Sequence, residues 1–202
     1  MVALTRPQYI TPAEYMEQEL KSEEKSEYFA GVVVAMSGAS LNHNRLSATI
    51  VSELYMALKG SHCDSFASDM RIAIEGRRYC YPDVSVVCGK PEFDRLAGGE
   101  SLTNPILIVE VMSDSTEHLD RGVKLIAYQQ IPTLQHYLLV SQNAPQVEMY
   151  TRMEGGWFYT LHKGLDSEIA LSAIHCSLKL ADIYARLNFE DSTNDPSPDK
   201  TC

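Results

Sequence analysis

The run Ile106-Leu107-Ile108-Val109-Glu110-Val111-Met112 constrains the fold of this chain more than any other stretch. It is apolar at nearly every position and rich in β-branched residues, the pattern of a central strand covered on both faces. Glu110 interrupts it. A carboxylate in such a strand is costly unless a cation or a hydrogen-bonding partner compensates it. A second run, Tyr81-Pro82-Asp83-Val84-Ser85-Val86-Val87, repeats the pattern, with its acid where a strand begins. Asp83 and Glu110 are 27 residues apart. On adjacent strands in register their side chains would lie about 5 Å from each other, so that one cation could bridge both. Ligation by oxygen alone favours Mg2+ or Mn2+ over zinc. The plain alternative is a solvated strand-start aspartate and a salt-bridged core glutamate.

The rest of the chain supplies elements around these strands. Thr11-Pro12-Ala13-Glu14 predicts a short helix to Leu20, with a capping threonine, a proline in the first turn and an acid behind it. Lys25 to Ser37 reads as a hairpin around Ala30-Gly31, with Glu27 on its first strand. Ser40 caps a longer helix whose Leu46, Ile50 and Leu54 form one stripe, ended by Gly60. Phe66 to Ile74 and Val84 to Val87 predict strands, separated by a turn at Glu75-Gly76-Arg77-Arg78. Gly89 to Asn104 predicts a polar loop or lid. A helix over Glu117 to Gln130, capped by Ser115 or Thr116, stops before Pro132. Strands are predicted at Leu134 to Val140, Gln146 to Thr151 and Trp157 to His162, then a helix at Leu178 to Leu187. One domain over residues 1–189 and a disordered acidic tail over 190–202 complete the expectation.

Charge and cysteine content narrow the function. A formal net charge of −10 argues against a protein that holds nucleic acid by a broad basic surface, although it leaves room for a metal-dependent site that concentrates acids. The five cysteines are odd in number and lack CxxC spacing, so neither a disulfide framework nor a zinc module is indicated. A reducing cytoplasm fits that usage. No stretch approaches the roughly 18 consecutive apolar residues of a membrane span.

Further side chains could join the two acids. Lys124 follows Asp120 by four residues and precedes Tyr128 by four, so all three share one helix face. A lysine there offers the positive charge that phosphodiester chemistry needs. Against this stands an exposed Asp120–Lys124 pair contributing a few tenths of a kcal/mol. Glu27 in isolation reads as a surface charge beside Lys25, and His43, in the first turn of its helix, as a packing or surface histidine.

Taken together, Glu27-Tyr28…Gly31, Ala39-Ser40…His43, Pro82-Asp83-Val84-Ser85-Val86-Val87, Pro105 to Ser113, Ser115-Thr116, Asp120-Arg121…Lys124…Tyr128 and Ile131-Pro132…Gln135-His136-Tyr137-Leu138-Leu139-Val140 resemble the Uma-two family of restriction-endonuclease-like proteins. The resemblance runs from about Ile10 to Leu187. It implies an α/β (α+β) fold of the PD-(D/E)XK superfamily, a mixed sheet flanked by helices. It also implies a Mg2+ (or Mn2+) site with Asp83 and Glu110 as metal ligands and Glu27 as a further acid. The superfamily lysine two residues after the second acid is missing, because Met112 stands there. The resemblance places it on the following helix as Lys124, with His43 and Tyr128 as secondary candidates. The implied activity is DNA endonuclease. Double-strand cleavage by a homodimer is the implied mode of action. The rivals are an inactive nuclease fold serving as a dimeric or DNA-binding module, and an enzyme acting on another phosphate ester.

Overall fold

The computed structural model describes residues 9–189 except 37, 76, 77 and 114. The tail predicted over 190–202 lies outside the described residues. The chain opens with α1 (Pro12–Glu19), capped reciprocally by Thr11 and Glu14 as its sequence implies. The hairpin of β1 (Ser26–Phe29) and β2 (Val32–Ala35) turns through Ala30 and Gly31, at φ 49° and 107°, the positive values that a tight two-residue turn requires. Helix α2 (Leu41–Ala57) starts at Ser40, whose Oγ accepts a hydrogen bond from the His43 amide at 3.0 Å, and it buries Leu46, Ile50 and Leu54. Strands β3 (Cys63–Ala67), β4 (Ile72–Ile74), β5 (Arg78–Cys80), β6 (Val84–Cys88), β7 (Phe93–Leu96), β8 (Gly99–Leu102) and β9 (Leu107–Met112) follow. A broken helix comes next: α3 (Glu117–Leu119), a π-helical turn (Asp120–Lys124) and α4 (Leu125–Tyr128). Strands β10 (His136–Ser141), β11 (Gln146–Met153) and β12 (Gly156–Lys163), the hairpin β13 (Glu168–Leu171) with β14 (Cys176–Lys179), and α5 (Leu180–Ile183) complete the described chain.

The strands form two six-stranded mixed sheets and the separate β13–β14 pair. One sheet has the order β2-β1-β5-β4-β8-β7, the other β12-β11-β10-β9-β6-β3. Strand β9 lies inside the second, parallel to β10 and antiparallel to β6, and is buried throughout. Alternation sends Leu107, Val109 and Val111 to a core shared with α2 and α5, and Ile108 and Met112 to a core shared with α4, Ile131 and Tyr137. Glu110 therefore points toward the α4 side. A smaller cluster of stacked tyrosines, Tyr15, Tyr28 and Tyr79, joins α1 to the first sheet.

Several expectations need correction. The stretch Phe66 to Ile74 is not one strand: a turn at Ala67 to Met70, held by Lys25 through Ser68 O and Asp69, passes the chain from the second sheet to the first. Gly89 to Asn104 is not a lid but carries the β7–β8 hairpin, whose exposed polar side chains conceal its strand pairing from a hydrophobicity reading. The helix predicted from Leu178 to Leu187 starts late and ends early: Leu178 and Lys179 belong to strand β14, and α5 covers only Leu180–Ile183. The absence of a disulfide signal also misleads, because Cys63 and Cys88 are disulfide-bonded. They face each other across β3 and β6, and the Gly89 amide donates to His62 O at 2.8 Å just outside them. That bond makes Cys63–Cys88 a non-hydrogen-bonded pair, the position where cross-strand side chains approach most closely.

Candidate active site

The first acid sits where strand pairing puts it. Val84 pairs with Val109 in the antiparallel β6–β9 ladder, and extending that register by one residue sets Asp83 opposite Glu110. Asp83 Oδ2 accepts from the Val111 amide at 2.7 Å and lies 3.2 Å from His43 Nε2. The N-terminal turn of α2 thus delivers His43, a secondary sequence candidate, directly to the first acid. Burial acts to lower the His43 pKa, but the hydrogen bond and charge of Asp83, aided by Asp120, hold it above its ordinary value.

The second acid has different company. Glu110 is 4% exposed; its Oε1 accepts from Tyr128 Oη at 2.8 Å and from Lys124 Nζ at 3.2 Å. Lys124, 5% exposed, also contacts Glu27 Oε1 at 2.9 Å and Asp120 Oδ1 at 3.4 Å. Three ammonium hydrogens thus meet three carboxylates. Glu27 arrives from β1 in the other sheet and accepts from the Tyr81 amide at 3.1 Å, so the cluster closes the junction of the two sheets. The reading of Asp120–Lys124 as a surface pair, and of Glu27 as a surface charge, is therefore corrected: all three are buried.

The π turn explains how the helix reaches the site. Its extra residue per turn brings Asp120 and Lys124 inward together, while Arg121 reaches Glu148 on β11. Thr116 occupies the N-cap position, but its hydroxyl is engaged with Ser113 Oγ at 2.9 Å. Asp120, which pairs at surface spacing with Lys124 in the sequence, is instead a buried member of the site. Its spacing from Lys124 was the available signal, and burial decides its meaning.

The electrostatics follow from this crowding. Burial raises the Glu110 pKa well above the carboxylate range; Lys124 resists, and Asp120, Asp83 and Glu27 add to the rise. Asp120 is raised by the same burial, opposed by Lys124 and Thr116. Burial would depress Lys124, but Glu110, Glu27 and Asp120 outweigh it and hold the ammonium charged.

Four carboxyl groups surround one lysine and one histidine, an excess of acid that suits a hard divalent cation. Asp83 uses Oδ2 and Glu110 uses Oε1 for the contacts above, leaving each a second oxygen outside them. Among the described residues, Ser85 Oγ is buried without a hydrogen-bond partner, two residues from Asp83 along the same strand face. The donor set thus fits an oxygen-ligated ion at Asp83 and Glu110.

Mixed sheets flanked by helices, with acids from paired strands and a lysine from the following helix, define an α+β protein of restriction-endonuclease-like fold. The comparisons identify the family. The model of the Uma2 family, described as "Putative restriction endonuclease", matches residues 12–181, and the chain belongs to that family. It is 37% identical over 174 residues to the "Uncharacterized protein sll1609" of Synechocystis sp. (strain ATCC 27184 / PCC 6803 / Kazusa), covering 85% of this chain and 98% of that one. It is 36% identical over 181 residues to the "Uncharacterized protein slr1290" of the same organism, covering 89% and 94%. A crystal structure from Anabaena variabilis ATCC 29413, described as "a putative nuclease belonging to DUF820", superposes with a TM-score of 0.70 at 19% identity. The match covers 87% of this chain and 98% of that one, and shows the shared fold. Among the described residues no helix is long and apolar enough to cross a membrane.

Proposed function

We propose that this protein is a Mg2+-dependent endonuclease that hydrolyses DNA phosphodiester bonds, with Mn2+ as an alternative ion. The observation that carries the reading is the excess of carboxyl groups at the junction of the sheets, with Glu27, Glu110 and Asp120 gathered around Lys124 and Asp83 set opposite Glu110 on the paired strand. Asp83 and Glu110 would hold the cation. When bound, it supplies Lewis-acid polarisation of the scissile phosphate and a lowered pKa for the attacking water.

The chain's own residues do the remaining work. The Val111 amide and His43 fix Asp83, and Tyr128 fixes Glu110, so both carboxylates are oriented before substrate arrives. Lys124 places a permanent positive charge where negative charge grows on the phosphate. Glu27 orients the ammonium and accepts a proton from water beside it. Cleavage of both strands calls for two such sites, so the proposal includes a homodimer acting in the cytoplasm.

The test is a plasmid-nicking assay with Mg2+, Mn2+ and EDTA, comparing wild type with Asp83→Asn and Lys124→Met. Metal-dependent nicking that both variants abolish is expected. A folded protein that binds the ion yet leaves DNA intact would favour the inactive-module reading, which the engagement of Lys124 by three acids and the methionine at position 112 support.

A further inference from the structure

A second cluster of ligating side chains lies at the far end of β6 from Asp83. A ring nitrogen of His62 and the Sγ atoms of Cys63 and Cys88 all lie within 4.8 Å of one another. Strand pairing creates this convergence: Cys63 and Cys88 are cross-strand partners, and His62 precedes Cys63 where its carbonyl accepts from Gly89. A tetrahedral zinc ion, with Zn–S about 2.3 Å and Zn–N about 2.0 Å, holds its ligands roughly 3.5 to 3.8 Å apart, so small side-chain rotations suffice. Beside Cys63 runs a groove lined by Tyr55, Lys59, Ser61 and Asp64, with room for a fourth, exchangeable ligand.

From this geometry we propose that the reduced protein binds one thiophilic cation of the zinc class through His62, Cys63 and Cys88, and that the Cys63–Cys88 disulfide is the metal-free form of the same site. Two thiolates and an imidazole are a soft donor set, unlike the oxygen ligands at Asp83 and Glu110. The two states exclude each other, because each sulfur is either in the S–S bond or on the metal. A dithiol reductant transfers two electrons and two protons to the disulfide, giving two thiols and leaving as its own disulfide. Zinc then displaces the two thiol protons to solvent as it binds. The inference is independent of the nuclease reading.

Cobalt tests it directly, because thiolate ligation of Co2+ gives near-ultraviolet charge-transfer absorption and tetrahedral geometry gives intense visible bands. The full chain, reduced with a phosphine and freed of it without air, is titrated with Co2+ and then Zn2+. We expect one equivalent of cobalt with both sets of bands, their loss on adding zinc, and neither set in the oxidised protein. Cys63→Ser/Cys88→Ser should abolish the charge-transfer band, and His62→Ala should weaken binding by at least the roughly 10- to 100-fold lost when a ligand's outer-shell partner is removed. No charge-transfer band in the reduced wild-type chain overturns the proposal, whatever the variants do. So does an undiminished band in the double variant, which would put the metal on other cysteines.

Discussion

Replacing Lys124 with methionine leaves Glu27, Glu110 and Asp120 buried together without the cation they share. Removing one partner of a buried charge cluster typically costs about 3–5 kcal/mol, whereas an exposed pair at this spacing would cost a few tenths. Urea denaturation of Lys124→Met without metal should therefore show a loss of several kcal/mol; a loss below about 1 kcal/mol would mean the ammonium does not compensate the acids. Glu110→Gln goes the other way. Its folded pKa is raised, so the folded chain holds a proton the unfolded chain releases, and stability falls as pH rises from the ordinary carboxylate pKa toward that raised value. The glutamine variant, with nothing to ionise, should match or exceed wild-type stability at pH 7 without metal and lose nicking activity. His136 has the opposite sign. It is buried, its Nε2 accepts from the Ala173 amide at 3.3 Å, and burial lowers its pKa from 6.5. Its contribution is complete above pH 6.5 and is lost as pH falls from there toward the depressed folded value, because only the unfolded chain accepts the proton readily. The stability difference between wild type and His136→Asn should shrink between pH 7 and 5; a constant difference would show that folded His136 takes up the proton.

At the scale of elements, the π turn sets the phase of everything on either side of it. Deleting Gly122 should return the turn to α geometry, keep Lys124 in step with Tyr128, and rotate Asp120 and Arg121 by about 100°. Glu148 would then lose Arg121, its partner from the π turn. Glu148→Gln should destabilise the wild-type chain but add little in the deletion background, a non-additivity measurable by denaturation of the four proteins. If the two changes add, Arg121 still reaches Glu148 and the phase argument fails. This turn was not legible in the sequence. Helical spacing gives Asp120, Lys124 and Tyr128 one face, but a local π turn depends on packing against β11 and β9, which periodicity does not encode. Strand β9, which carries Glu110, and β6, which Asp83 immediately precedes, were legible because a lone carboxylate stands out in or beside an apolar run. Hairpin β7–β8 was not, since polar side chains mask its backbone pairing.

Across the whole molecule, divalent metal should act as a folding ligand. Mg2+ at 100 times its dissociation constant would stabilise the native chain by about 2.7 kcal/mol. Asp83→Ala should remove the accompanying rise in melting temperature; an unchanged rise would place the ion elsewhere. The sequence revealed the pieces of this site more readily than their depth. Glu27, Asp83, Glu110 and Lys124 were candidates by chemistry and resemblance, yet burial of Glu27 and Lys124 emerges only when two sheets meet. That meeting has a dynamic consequence. The Tyr81 amide donates to the same Glu27 oxygen that contacts Lys124, so a proton on the backbone of one segment senses the ionic state of the cluster. Under the proposed mechanism a phosphate that draws the ammonium away would loosen Glu27, and deuterium uptake at Tyr81 should then accelerate relative to that at β9. The seam between the sheets thereby becomes a clock for occupancy, readable without any bond being cut.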